Sequence, residues 1–217
     1  SLKEIKEKRI EFLTQYQNAI YAKRYEDLVR KAEDAEQNLT PGFEGLALAT
    51  ARYAFKLMSY KDLEKNLNYN TKNIKHLELA LTHKSFSNTN NNERLEYLGD
   101  SLLNFIIAEE VFNRFKSLSE GQLTQFRASL VSRESLDEVG REIGLQEHVR
   151  IGKGEMLQGN SIIGNSFEAL IGAIYIDGGF EAAAQVVSLL FEERLSFLND
   201  SQDLKDSKSK LQEYLQK

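Results

Sequence analysis

The stretch NERLEYLGDSLL, residues 92–103, carries the most information about how this chain folds. On an α-helix its acidic residues Glu93, Glu96 and Asp100 recur at steps of three and four, so they form one polar stripe beside an apolar stripe that includes Leu95 and Leu98. Two carboxylates at this spacing can share one metal ion. The alternative for such a pair, taken alone, is a solvated helix face.

A second acidic motif lies in an apolar stretch, residues 161–179, with the sequence SIIGNSFEALIGAIYIDGG. It keeps Glu168 in its middle, three residues after Asn165. A carboxylate in an apolar helix needs a partner, because burying an unpaired charge is costly. If Glu168 faces Glu96 and Asp100 across a pair of helices, the three carboxylates create a pocket of hard oxygen ligands that suits Mg²⁺ or Mn²⁺ better than Zn²⁺.

The apolar residues keep a helical period through most of the chain and give strands almost no support. We therefore predict an all-α fold. Its helices are expected over residues 74–83, 93–115, 120–131, 133–143, 161–176 and 180–198.

Several motifs together resemble the ribonuclease III family. NERLEYLGDSLL is similar to the signature of that family, and SIIGNSFEALIGAIYIDGGF is similar to its second acidic motif. LELALTHKSFSNTNNNE and SEGQLTQFRASLVSRESL lie in the expected order and at similar spacing. The resemblance covers about residues 62–199 and implies a ribonuclease III catalytic domain there.

The resemblance implies a set of site residues, position by position. The catalytic residues are Glu96, Asp100 and Glu168, and Asn165 joins them as a metal ligand. Glu93 and Glu120 match further acidic positions that support the site.

Asn165 departs from the family, which usually has Asp at this position. An amide oxygen can still ligate a hard cation, but it carries no negative charge and accepts no proton, so metal affinity should fall. Three explanations stay open: a natural variant that tolerates Asn, an inactivating substitution that traps substrate, and a member that binds RNA without cutting it.

The implied activity is metal-dependent hydrolysis of double-stranded RNA, giving 5′-phosphate and 3′-hydroxyl ends, in RNA processing that includes ribosomal RNA. Mg²⁺ is the implied cofactor, with Mn²⁺ as a substitute and with no small-molecule cofactor. No covalent enzyme intermediate is needed. The chain has no cysteine and no G-x-S-x-G motif, and its three histidines are not spaced as ligand pairs.

The implied partners are double-stranded RNA and a second copy of the chain. Tyr97 matches an aromatic residue that family members insert into a socket on the partner subunit; the alternative is an ordinary core aromatic. The candidate contacts to RNA phosphates are Arg127, Arg133, Arg150 and Lys153, for each of which a solvated surface charge is the alternative.

The overall charge gives these RNA contacts little support. The 217 residues contain 28 Lys and Arg against 33 Asp and Glu, for a net charge of −5, which is opposite to that of most nucleic-acid-binding proteins. Such a chain must rely on metal ions, local basic patches or another module to bind RNA. The alternative function, which Asn165 keeps open, is that of a catalytically silent, dimeric RNA-binding or scaffold protein of the same fold.

The two ends of the chain lie outside the catalytic pattern. For residues 1–61 the apolar spacing predicts a helical extension, a helical hairpin broken near Pro41. This segment weakly resembles a helical segment of indolepyruvate:ferredoxin oxidoreductases, which suggests a fusion or chimera. Residues 200–217 are predicted to be a linker and the start of a truncated double-stranded-RNA-binding domain. We expect a cytoplasmic protein without a membrane segment, since no apolar run has the length that a bilayer requires.

Overall fold

The computed structural model describes residues 1–16, 19–39, 45–157 and 161–215, with the backbone alone from residue 199 onward. The chain divides into two compact units, Ser1–Leu63 and Glu64–Lys217. Among the described residues there are no strands, only an isolated bridge between Thr82 and Arg150, so the all-α prediction is confirmed.

The described part of the first unit contains three helices. They are α1 (Leu2–Tyr16), α2 (Ala19–Leu39) and most of α3 (Leu46–Leu67), and α1 packs against α2. Leu13, Tyr25 and Val29 are buried in its core. The predicted break near Pro41 lies outside the described residues.

The second unit contains six α-helices in its described part. They are α4 (Ile74–Ala80), α5 (Glu93–Arg114), α6 (Glu120–Leu130), α7 (Arg133–Glu142), α8 (Ile162–Gly178) and α9 (Phe180–Leu215), with a short 3-10 helix, Leu145–Glu147, after α7. All six predicted helices are present, with their ends shifted by a few residues except at the end of α9.

Helix α8 is the centre of this unit, since it packs against α4, α5, α7 and α9. Most of its apolar side chains, including Phe167, Leu170 and Ile171, are buried, and only Tyr175 and Ile176 near its end are exposed. This position explains why residues 161–176 are apolar on nearly every face: a helix surrounded by other helices has no solvent side.

The end of α9 differs from the prediction. The helix continues to Leu215, where the sequence predicted a linker from residue 200. Residues 181–215 contain neither glycine nor proline, and Leu, Lys, Gln and Glu are good helix formers, so nothing local ends the helix at residue 198. The described residues contain no helix with both the length and the apolar character needed to cross a bilayer.

Candidate active site

Two glycines allow the backbones of α5 and α8 to touch. A Cβ added at Gly99 would lie 1.7 Å from the carbonyl oxygen of Glu168, and one added at Gly172 would lie 2.4 Å from the carbonyl oxygen of Leu95. Neither position has room for any side chain. Because Gly99 lies between Glu96 and Asp100, this close crossing brings the acidic stripe of α5 beside Glu168 of α8.

The crossing forms a pocket of about 430 Å³, which we call the acidic pocket. Its polar lining brings together both acidic motifs of the sequence. The lining residues are Glu93, Glu96, Tyr97, Asp100, Val131, Arg133, Leu136, Gly164, Asn165 and Glu168. All six residues of α5 and α8 that the sequence predicted for catalytic, metal-binding, supporting and interface roles therefore line one cavity, and the sixth of them, Tyr97, is the predicted interface residue.

The acidic pocket is lined by more negative than positive charge, with four carboxylates and one guanidinium, that of Arg133. Burial raises the pKa of Glu168 to about 7, and the negative charges of Asp100 and Glu96 add to this rise, while Arg133 opposes it. The pKa of Glu96 is also raised, first by burial and then by the charge of Glu93. A divalent cation in the pocket would offset this repulsion, which is the arrangement expected of a metal site.

Hydrogen bonds hold two of the carboxylates from outside the pocket. Asn104 donates from Nδ2 to Oδ1 of Asp100 at 3.0 Å, and Lys84 donates from Nζ to Oε1 of Glu93 at 3.1 Å. Asn104 lies four residues after Asp100, on the same face of α5, whereas the role of Lys84 was not predicted from the sequence. Lys84 lies in the loop before α5, and no helical periodicity connects a loop residue to its partner nine positions later.

The donor atoms in the pocket fit a hard divalent cation by their chemistry, since all are carboxylate or amide oxygens. Among the described residues, however, no three acidic or histidine side chains are already close enough together to hold a metal. The backbone therefore places the ligands around one cavity, and side-chain rotation is needed to bring them onto a common ion.

Glu120 lies apart from the acidic pocket. It is on α6, where its carboxylate accepts a hydrogen bond from the hydroxyl of Thr124 at 3.1 Å. It lines a second cavity of about 380 Å³, which we call the apolar groove. The other lining residues of the apolar groove are Phe105, Ala108, Glu109, Phe112, Leu123, Thr124 and Arg127.

Tyr97 points into solvent, with 80% of its surface exposed. The alternative of a core aromatic is therefore wrong. Phe105 and Phe112, on the same helix, are 58% and 63% exposed. This much exposed aromatic surface on one helix indicates a surface for association rather than a solvated face.

The four candidate phosphate contacts occupy three places. Arg133 lies at the acidic pocket, and Arg127 lies in the apolar groove. The guanidinium of Arg150 stacks on the ring of Phe86, 4.4 Å from its centroid, and Lys153 is exposed in the loop that follows.

The loop around Lys153 is tied to the loop before α5. Gly152 donates its N–H to Oγ of Ser85 at 2.9 Å, and a Cβ on Gly152 would lie 2.3 Å from the carbonyl oxygen of Ser85. Gly152 therefore allows the two loops to pack closely, since any side chain there would overlap the backbone of Ser85. His83 bonds Ser85 through Nδ1 at 2.8 Å, which is consistent with a structural histidine.

Known families and individual known proteins were both found to be similar to this chain. A family model described as ribonuclease-III-like matches residues 73–195, and a model described only as a family of unknown function matches residues 2–65. "Ribonuclease 3" of Hahella chejuensis is 51% identical over 158 residues, covering 71% of this chain and 70% of that protein. "Ribonuclease 3" of Legionella pneumophila strain Corby is 47% identical over 156 residues, covering 70% and 69%.

A solved structure adds the fold to this similarity. The nuclease domain of ribonuclease III from Campylobacter jejuni superposes with a TM-score of 0.58 at 37% identity, covering 61% of this chain and 95% of that domain. That structure is described as showing flexibility in a region involved in dimer formation. The chain belongs to the ribonuclease III family.

Proposed function

We propose that this chain is an endoribonuclease that hydrolyses phosphodiester bonds in double-stranded RNA and leaves 5′-phosphate and 3′-hydroxyl ends. The observation that carries the proposal is the acidic pocket, in which Glu96 and Asp100 of α5 meet Glu168 of α8. The relatives named above, which carry the name ribonuclease 3, support the same reaction.

The family depends on divalent metal ions, and for this chain we propose Mg²⁺, with Mn²⁺ as a substitute. Glu96, Asp100, Asn165 and Glu168 are the residues that would hold it, supported by Glu93. When bound, the cation supplies a water of lowered pKa and offsets the charge on the attacked phosphate.

The protein's own side chains position the oxygen donors and add one positive charge at the pocket wall. Asn104 orients Asp100, and Lys84 holds Glu93 at the edge of the pocket. Arg133 adds a positive charge at the pocket wall, where it can contact an RNA phosphate. Glu168, with its raised pKa, is the carboxyl most able to hold a proton near neutral pH.

A second copy of the chain explains how Glu120 can support the site although it lies in the apolar groove. We propose that the exposed Tyr97 of one subunit enters the apolar groove of its partner, so that the two grooves and the two tyrosines pair by symmetry. Tyr97 also borders the acidic pocket. Its insertion therefore brings the partner's Glu120 toward the metal ligands of the first subunit.

RNA would be held at its phosphates, since an A-form duplex is recognised mainly by shape and backbone. Arg133, Arg150 and Lys153 are the proposed contacts on the exposed surface, and Arg127, inside the apolar groove, acts there only if dimer formation leaves it accessible. The proposed domains are residues 1–61 as a helical extension and 62–199 as the catalytic domain. The proposed compartment is the cytoplasm, where structured RNA is processed.

Cleavage of an end-labelled RNA duplex tests the proposal, with the native chain and its Asn165→Asp variant, each in Mg²⁺ and in Mn²⁺ at low salt. Asn113→Asp, the same change on the exposed part of α5, is the control for added charge. Cleavage by the native chain supports an enzyme in which the amide serves as a ligand. Cleavage by the Asn165→Asp variant alone shows that one ligand accounts for the loss, and a duplex left intact by both supports the silent RNA-binding alternative.

A further inference from the structure

Asn92, the residue just before α5, links the two helices that carry the site. Its side chain is 1% exposed, and its Nδ2 donates to Oγ of Ser166, which is fully buried on α8. The donor–acceptor distance is 3.4 Å, so the bond is long and adds little stability by itself. This hydrogen bond matters because of where it lies and not because of its strength. Ser166 directly follows Asn165 and precedes Glu168 by two residues.

The backbone of Asn92 connects the same residue to the first carboxylate. Its carbonyl oxygen accepts the hydrogen bond from the N–H of Glu96 at 2.8 Å, and its own N–H donates to the carbonyl oxygen of Thr82 at 2.8 Å. One residue thus fixes the turn of α5 that presents Glu96 and also contacts the turn of α8 that presents Glu168. The sequence identified Asn92 only as the start of the signature motif.

The other atom of the amide indicates that Asn92 is not optimised for stability. Oδ1 of Asn92 is buried and has no hydrogen-bond partner among the described residues. A buried acceptor without a partner destabilises the folded state, and an apolar residue at this position would avoid that cost. A role in orienting the site accounts for an amide at this position, whereas packing alone does not.

We propose that Asn92 is a positioning residue that sets α5 against α8 through Ser166, so that Glu96 and Glu168 can reach one divalent cation; this inference rests on the proposed function. Asn92 itself lies outside the lining of the acidic pocket. It therefore acts through the helices and makes no contact with the metal or with RNA.

Titration of Mn²⁺ into RNA-free protein, followed by calorimetry, tests the inference without relying on activity. The variants are Asn92→Ala, Ser166→Ala and the double variant, each in the native chain and in the Asn165→Asp background. We expect each single variant to weaken Mn²⁺ binding by about tenfold, as loss of a group that orients metal ligands does. The double variant should be no weaker than either single variant, because both remove the same link.

Ser188→Ala is the matched control, since Ser188 of α9 also donates a hydrogen bond to α5, at Glu110, away from the acidic pocket. It should leave Mn²⁺ affinity unchanged. Ser166→Ala keeps the test open if Asn92→Ala fails to fold, because alanine suits a helix interior. The positioning role alone is overturned if Ser166→Ala binds Mn²⁺ with unchanged affinity, or if the losses of affinity add in the double variant. The proposed function, and this inference with it, is overturned if neither background binds Mn²⁺ or cleaves RNA.

Discussion

Replacing Gly99 with alanine should separate the two helices that form the site. The new Cβ would lie 1.7 Å from the carbonyl oxygen of Glu168, 2.5 Å from its carbonyl carbon and 3.1 Å from the backbone nitrogen of Gly172. Ordinary contacts of a Cβ begin at 3.4 Å, so the helices must move apart by roughly 1.7 Å. The atoms in the way belong to the backbone, and no side-chain rotation can relieve the overlap.

The energetic cost follows from this overlap. Overpacking of a core costs about 1–3 kcal/mol, and a clash with backbone belongs at the upper end, ~3 kcal/mol. For a chain of this size such a loss lowers the melting temperature by roughly 6–12 °C. A shift of even about 1 Å in the position of reacting groups can reduce the rate about 100-fold, so cleavage should fall further than stability alone explains.

Thermal unfolding and single-turnover cleavage of duplex RNA, measured at a temperature where both proteins are folded, test this prediction. Gly121→Ala is the control, because a Cβ at Gly121 on α6 meets nothing within 4 Å. It should be neutral or stabilise by up to about 1 kcal/mol. If Gly99→Ala melts at the native temperature and cuts at the native rate, the close crossing of α5 and α8 does not set the site.

Three further outcomes follow from the geometry. Tyr97→Ala should lower the mass found by analytical ultracentrifugation from dimer to monomer at micromolar concentration. Phe197→Ala, which removes an aromatic ring that is 71% exposed on α9, should not. A dimeric Tyr97→Ala contradicts the proposed socket. In metal-free buffer the folded chain keeps the proton of Glu168 between pH 4.5 and about 7 while the unfolded chain releases it, so the free energy of unfolding falls as pH rises through this window. Denaturant titrations should show a smaller fall for Glu168→Gln and the same fall as in the native chain for Glu120→Gln. An equal fall in the native chain and Glu168→Gln would refute the raised pKa of Glu168. Lys153→Ala should weaken duplex binding uniformly across RNA sequences and reduce the slope of log affinity against log salt by about 0.7–0.9; an unchanged slope argues against a phosphate contact.

The sequence predicted the parts of the fold that depend on local pattern. Residues 161–176 are apolar on nearly every face, and α8 is the centre of its unit. The spacing of Glu96 and Asp100 placed both on one face of α5, and the structure places them in one pocket with Glu168. These features depend on helical periodicity, which the sequence carries directly.

Other features depend on contacts between distant segments and have no local signal. Gly99 and Gly172 read as ordinary interruptions of a helical pattern, although their lack of a side chain fixes the helix crossing. The bond from Lys84 to Glu93 depends on how a loop folds back. The separation of Glu120 from the acidic pocket follows from the direction of α6, which no spacing along the chain specifies.

Asn165 changes the balance between stability without metal and affinity for metal. The acidic pocket already holds four carboxylates, and their repulsion contributes to the raised pKa of Glu168. A fifth carboxylate in Asn165→Asp would increase that repulsion when no cation is present and increase the attraction for a cation when one is. The variant should therefore melt below the native chain in EDTA and gain more than the native chain on addition of Mg²⁺, because a ligand that binds more tightly stabilises the folded state more.

Thermal unfolding of both proteins in EDTA and in millimolar Mg²⁺ measures the two effects separately, and Asn113→Asp again corrects for charge on the surface. A variant that melts above the native chain in EDTA would mean that the pocket is not limited by carboxylate repulsion. A variant that gains nothing from Mg²⁺ would mean that position 165 does not contact the cation. If both expected outcomes are observed, the amide at position 165 is a metal ligand that stabilises the metal-free fold and weakens metal binding. The activity of the chain then depends on the concentration of available Mg²⁺.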